Sequence, residues 1–154
     1  MIKQCVVCGV DITKSWSNSS SRRAIRSDRK YCSKRCWGID YRTTKEGWAK
    51  SLVARAKTRA KQKKIDFNIT KEFVLFLLDE QDNKCAITNL PITFSDSYEG
   101  KIDQYRGSLD RIDSNLGYTK DNVQVVCAQV NIMKHQATTK DLIFWATKIV
   151  EGLT

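Results

Sequence analysis

The 154-residue sequence predicts a small α+β protein, and three observations carry that class. Four of its six cysteines fall in two short pairs near the N-terminus. A lysine- and arginine-rich middle stretch has helical periodicity. The C-terminal half alternates short β-branched runs with turns before returning to helical spacing. The chain therefore divides into a cysteine-bearing region at 1–42, a basic helical region at 43–82 and a mixed strand and helix unit at 83–154. One compact domain or two small ones fit this length.

In the first region, Cys5-Val-Val-Cys8-Gly9 and Cys32-Ser-Lys-Arg-Cys36 read as two cysteine knuckles. Zinc takes four thiolates at about 2.3 Å in a tetrahedron, and two cysteines two or three residues apart can bend round one ion. Gly9 allows the tight turn after Cys8. The polar stretch between the pairs offers almost nothing to bury, so it cannot fold unaided. Four buried free thiols are the alternative reading. A closed Cys5, Cys8, Cys32, Cys36 site is structural, because no coordination position stays open. It would display Arg22, Arg23, Arg26, Arg29, Lys30, Lys34 and Arg35, either as a DNA-contacting surface or as a solvated one.

In the second region Trp48, Leu52 and Ala56 recur every fourth residue, with Val53 and Ala60 beside them. Lys50, Arg55, Lys57, Arg59, Lys61 and Lys64 fall on other faces. Of these, Arg55, Lys57 and Arg59 are candidate DNA contacts. A second helix is predicted from Thr70, a suitable N-cap, with Glu72 in its first turn. Its buried side should be Phe73, Phe76, Leu77 and Leu78. No internal repeat is evident.

In the third region Pro91, Gly100, Gly107 and Gly117 punctuate short segments. Residues 108–113 and 122–127 read as strands, the second carrying Val123, Val125 and Val126. A helix should follow from about Ala128. A last helix from about Thr139 should carry Leu142, Trp145, Ala146, Ile149 and Val150 on one side. Thr138 and Asp141 stand at capping-box spacing before it.

Twenty-seven lysines and arginines against 17 acids give a formal net charge of +10. Such an excess on a short chain suits a polyanionic partner, nucleic acid first among them. No apolar run is long enough to cross a bilayer, and the N-terminus lacks a secretory apolar core. The chain is expected to be intracellular, with its cysteines reduced or metal-bound.

The stretch SLDRIDSNLGYTKDNVQVVCAQVNIMK, residues 108–134, with CAITNLPITF upstream, resembles the HNH (ββα-metal) endonucleases. The resemblance spans about 55–134. It implies a strand–loop–strand–helix unit holding one divalent ion, magnesium or manganese, beside a scissile phosphate. Asp110 matches the metal-binding aspartate, Asn131 the second metal ligand, and Asn122 the middle asparagine that braces the loop. Lys134, one helical turn past Asn131, could reach a phosphate. His135, four residues after Asn131, is either a third metal ligand or an exposed helix-end histidine.

The sequence departs from that family at Arg111, which stands where the general-base histidine normally follows the aspartate. Arginine stays protonated and cannot be a base. Either the enzyme is inactive or another group serves. The layout also resembles restriction-type members with an N-terminal knuckle pair and a variant motif containing Asp-Arg and Gly-Tyr, which implies Tyr118 as base. A free tyrosine ionises near pH 10, and Arg111 and a metal ion would both favour the phenolate. Tyr118 as a packed turn aromatic is the plainer alternative. Members with a second zinc site carry two further C-x2-C knuckles. Here Cys85 meets Thr88 and Cys127 meets Val130 at that spacing, so no second zinc is expected and two reduced core thiols are.

The resulting expectation is a metal-dependent endonuclease acting on double-stranded DNA in restriction, homing or phage DNA processing. One structural zinc and no membrane partner are expected, and a homodimer where the target is palindromic. A zinc-finger DNA-binding protein with an inactive motif is the alternative.

Overall fold

The computed structural model describes residues 3–13, 30–94 and 103–154. It is an α+β fold in the order α1 (Lys34–Thr43), α2 (Lys45–Lys63), α3 (Lys71–Glu80), β1 (Gly107–Arg111), β2 (Val123–Cys127), α4 (Ala128–Lys134) and α5 (Thr139–Leu153). Arg22, Arg23, Arg26 and Arg29 lie outside the described residues.

α1 was not anticipated from the sequence. Its N-cap Ser33 accepts a hydrogen bond from the Cys36 backbone N–H, so the second knuckle is itself the start of a helix. Thr44 then ends α1 and caps α2, its hydroxyl accepting from Gly47 N–H.

α2 follows its predicted stripe. Trp48, Leu52, Ala56 and Ala60 are buried, and Trp48 Nε1 donates to Gly107 O at 3.0 Å, pinning the helix to β1. Burying a large apolar side chain stabilises by about 1.5–3 kcal/mol, so this row is the main attachment of the basic helix. α3 starts at Thr70 as expected, with Glu72 in its first turn. Its buried face differs from the prediction. Val74 and Leu78 enter the core, while Phe76 is exposed and Phe73 and Leu77 pack only at the margin. One helical turn separates Val74 from Leu78, and that pair, rather than the bulkiest side chains, faces β2.

β1 and β2 form an antiparallel pair in which Leu109 faces Val125 and Asp110 faces Gln124. Alternation along a strand sends Leu109 into the core and puts Ser108 and Asp110 on the other face. α4 begins directly after β2 and covers that polar face. Trp48, Leu52, Val74, Leu78, Leu109, Val123 and Val125 form the centre of the core beneath the sheet.

α5 carries the predicted capping box, Thr138 accepting from Asp141 N–H and Asp141 accepting from the Thr138 backbone. The apolar side that the spacing gives it is not packed into the core. No α5 residue is buried, and Trp145, Ile149 and Val150 are exposed. Capping fixes where a helix starts; it supplies no surface to pack against. Only Leu142 touches the core.

Candidate active site

Asp110 is buried at the base of a cleft of about 360 Å³ bounded by β1, the loop to β2, α4 and the end of α2. Ser108, Arg111, Tyr118, Asn131 and His135 line the same cleft, and Arg59 and Lys63 reach it from α2. The residues chosen from the sequence as metal ligands and as base therefore share one cavity. Lys63, Ser108 and Gln124 were missed. Lys63 stands four residues after Arg59, a spacing that puts both on one helical face. Gln124 is visible only through the cross-strand register.

The polar face of the sheet sets each group. Gln124 Nε2 donates to Asp110 Oδ2 at 2.9 Å, and Lys134 Nζ donates to Asp110 Oδ1 at 3.2 Å and to Arg111 O at 2.9 Å. Lys134 is fully buried. It is therefore not offered to a phosphate, contrary to the sequence expectation; its four-carbon stem runs inward under α4 and its charge is taken by Asp110. Asn131 Nδ2 donates to Ser108 Oγ at 2.6 Å, which leaves its carbonyl oxygen as the atom with acceptor capacity for a ligand.

The loop from β1 to β2 is braced as the sequence implied. Asn122 Nδ2 donates to Asp113 O and Gly117 O, both at 2.9 Å, and its Oδ1 accepts from Asp113 N–H at 2.9 Å. Tyr118 is strapped from outside this loop. Its N–H donates to Asp66 O at 2.8 Å and its carbonyl accepts from Asn68 N–H at 3.1 Å. Gly117 is required here, because a Cβ would stand 2.3 Å from Asp66 O. The buried Tyr118 ring has the Arg111 guanidinium 5.2 Å from its centroid and that of Arg59 at 6.0 Å. Arg111 also donates to Leu116 O at 2.7 Å, which holds the guanidinium against the loop.

His135 lies just past α4 with φ 50° and ψ −110°, a conformation that L-residues avoid. It sits at the rim of the cleft with its side chain exposed. Arg55 and Arg59 are exposed along α2, as is Lys57, and Lys34 and Arg35 are exposed on α1. Arg55 folds back on Ser51 through Ser51 O and Oγ.

The second centre is the cysteine cluster. The thiols of Cys5, Cys8, Cys32 and Cys36 lie within 4.8 Å of one another. Sγ separations of 3.5 Å for Cys8–Cys32, 3.4 Å for Cys32–Cys36 and 3.7 Å for Cys8–Cys36 are close to the ~3.8 Å edge of a tetrahedron with 2.3 Å zinc–sulfur bonds. The four thiols could hold one metal ion. The knuckle backbone is preset, with Cys5 N–H bonded to Val10 O at 2.8 Å, Gly9 N–H to Cys5 O at 2.9 Å, and Gly9 at φ 71°. Cys5 and Cys36 are shifted in opposite directions. Burial raises Cys5, but backbone N–H groups of Cys32, Cys8 and Val7 outweigh it and bring the thiol down to about 6. Cys36 gains from the Ser33 hydroxyl yet is pushed up to about 12 by Cys32 and by burial.

The fold also holds a local repeat that was not evident in the sequence. Cys85 N–H bonds to Leu90 O at 2.8 Å and Asn89 N–H to Cys85 O at 2.9 Å, the same pair of bonds as at Cys5. Asn89 has φ 57° where the first knuckle has Gly9. Thr88 takes the place of Cys8, and its side chain bonds Cys85. Cys85 and Cys127 are buried free thiols, as expected, and burial followed by the neighbouring Cys85 pushes Cys127 up to about 11.

Comparison with known proteins finds one similar sequence and one similar solved structure. The chain is 29% identical over 94 residues to an uncharacterized 29.0 kDa protein from the dda-modA intergenic region of Enterobacteria phage T4. The match takes in 61% of this chain and about a third (35%) of that relative. Among solved structures, the rare-cutting HNH restriction endonuclease PacI aligns over 98% of this chain and 95% of its own, with a TM-score of 0.46 and 16% identity. No protein-family model matches the chain.

Proposed function

We propose that this chain is a metal-dependent endonuclease that hydrolyses phosphodiester bonds in double-stranded DNA. The observation that carries the reading is the convergence of Asp110, Asn131 and Tyr118 in one cleft whose remaining walls bear Arg59, Lys63, Arg111 and His135. A carboxylate and an amide oxygen are hard ligands suited to magnesium or manganese. Bound there, the ion would neutralise charge on the scissile phosphate. Asp110 and Asn131 are the residues that would hold it, with His135 available at the rim.

The chain's own groups divide the remaining work. Arg59 and Lys63 attract the phosphate backbone into the cleft. Tyr118 takes the proton of the attacking water, and Arg111 offsets the charge gathering on the phosphorus oxygens. Gln124 and Lys134 fix the orientation of the Asp110 carboxylate. The four-cysteine site, holding zinc, folds the N-terminal segment and presents Lys34 and Arg35 to the duplex.

A DNA-binding protein without catalysis is the second reading. The Lys134–Asp110 pair favours it, since an ammonium already neutralises one oxygen of the carboxylate that the metal needs. Incubation with supercoiled plasmid and magnesium or manganese separates the two. Nicking or linearisation that is lost in Asp110→Asn and Asn131→Ala, with DNA binding retained, is the expected result. Binding with no cleavage in either metal would establish the second reading instead.

A further inference from the structure

α5 presents an apolar stripe that nothing in the described chain covers. Leu142, Trp145, Ala146, Ile149, Val150 and Leu153 recur at the i, i+3, i+4, i+7 spacing of one helical face. Leu142 packs on the core at the start of the stripe. Beyond it the surface opens: Trp145 is 64% exposed, Ile149 60%, Val150 62% and Leu153 83%. Contiguous apolar patches of this kind mark interaction sites. A 15-residue helix is also near the length at which an isolated helix is marginal in water, so its stability calls for a packing partner.

We propose that this stripe is the contact between two copies of the chain, paired helix to helix across a two-fold axis. The area is right for it. The exposed stripe side chains, with Ile143 at their edge, offer roughly 700 Å², against the ~800 Å² that each partner gives to a standard stable interface. The charge is right as well. Two chains that each carry +10 repel one another, and this face bears no lysine, arginine, aspartate or glutamate; Lys140, Lys148 and Glu151 lie off it. That same absence of cations excludes the duplex itself as occupant. A two-fold interface pairs the stripe with itself, so no second, unlike surface is needed. The proposal bears on the nuclease reading by giving one cleft to each strand of a duplex, but its test needs neither DNA nor metal in the cleft.

Sedimentation velocity on the whole zinc-loaded chain, at moderate salt and from about 1 to 100 µM, is the test. A reversible dimer should appear within that range. Trp145→Ala and Ile149→Ala should each weaken it by about tenfold or more, and the double variant should sediment as a monomer. Alanine is the best helix former and both side chains are exposed, so the variants keep the fold; an unchanged thermal transition measured at low micromolar concentration checks this. A wild-type monomer at the highest concentration would overturn the proposal. So would a dimer untouched by the double variant, or open-ended association beyond two copies. Cleavage assays on the same samples keep the two ideas separable: a wild type that stays monomeric at every concentration and still nicks overturns the dimer and leaves the nuclease reading standing.

Discussion

Lys134 and Asp110 form an ion pair closed off from solvent, with Nζ 3.2 Å from Oδ1 and side-chain exposures of 0% and 3%. The pair ties the end of α4 to β1, and the Arg111 carbonyl and Gln124 amide complete its hydrogen bonding. A lysine that the motif alone suggests for phosphate contact thus serves to hold a carboxylate.

Removing one partner of a buried pair strands the other charge. Lys134→Met should therefore destabilise the fold by about 3–5 kcal/mol. Asp110→Asn should cost less, because the amide can still accept from Lys134. Chemical denaturation of both variants checks the order; a Lys134→Met protein as stable as wild type would mean that the ion pair is not formed in solution.

On the proposed nuclease reading, Tyr118 and Arg111 are the two candidates for chief catalytic group. With tyrosine as base, Tyr118→Phe should slow single-turnover cleavage on the order of a hundredfold. DNA affinity should hold, since only a hydroxyl is removed. A Tyr118→Phe rate within about threefold of wild type, together with severe loss in Arg111→Ala, would instead assign activation of water to the metal alone.

The cysteine cluster should contain close to one zinc per chain by elemental analysis. Its removal should unfold the N-terminal segment and α1 and leave the sheet intact, because Cys5, Ile12 and Cys36 form a core of their own. Circular dichroism after chelation, and of Cys5→Ser, should show partial loss of helix. An unchanged spectrum would show that the thiols need no ion.

DNA affinity should fall steeply with salt, since the clustered Arg59 and Lys63 and the net +10 charge release counterions on binding. Arg59→Ala and Lys63→Ala should each shallow the slope of log affinity against log salt by roughly one unit. Equal slopes in wild type and variants would place the duplex elsewhere.

Local spacing alone determined much of this protein. Knuckle pairs, the Trp48–Ala60 stripe, the two strands and the caps at Thr70 and Thr138 depend on residues a few positions apart, so the sequence displays them directly. The bracing role of Asn122 came from the family resemblance, and its partners lie within nine residues. The tertiary structure decided what depends on distant neighbours. Lys134 turns inward because Asp110 lies beneath α4. Gln124 matters because the register sets it opposite Asp110. The Tyr118 ring meets both Arg111 and an arginine 59 positions earlier in the chain. The α5 stripe looks like a core face in sequence, yet burial needs an opposing surface, and the described chain supplies one only at Leu142. Periodicity states which side of a helix is apolar; only packing states whether anything meets it.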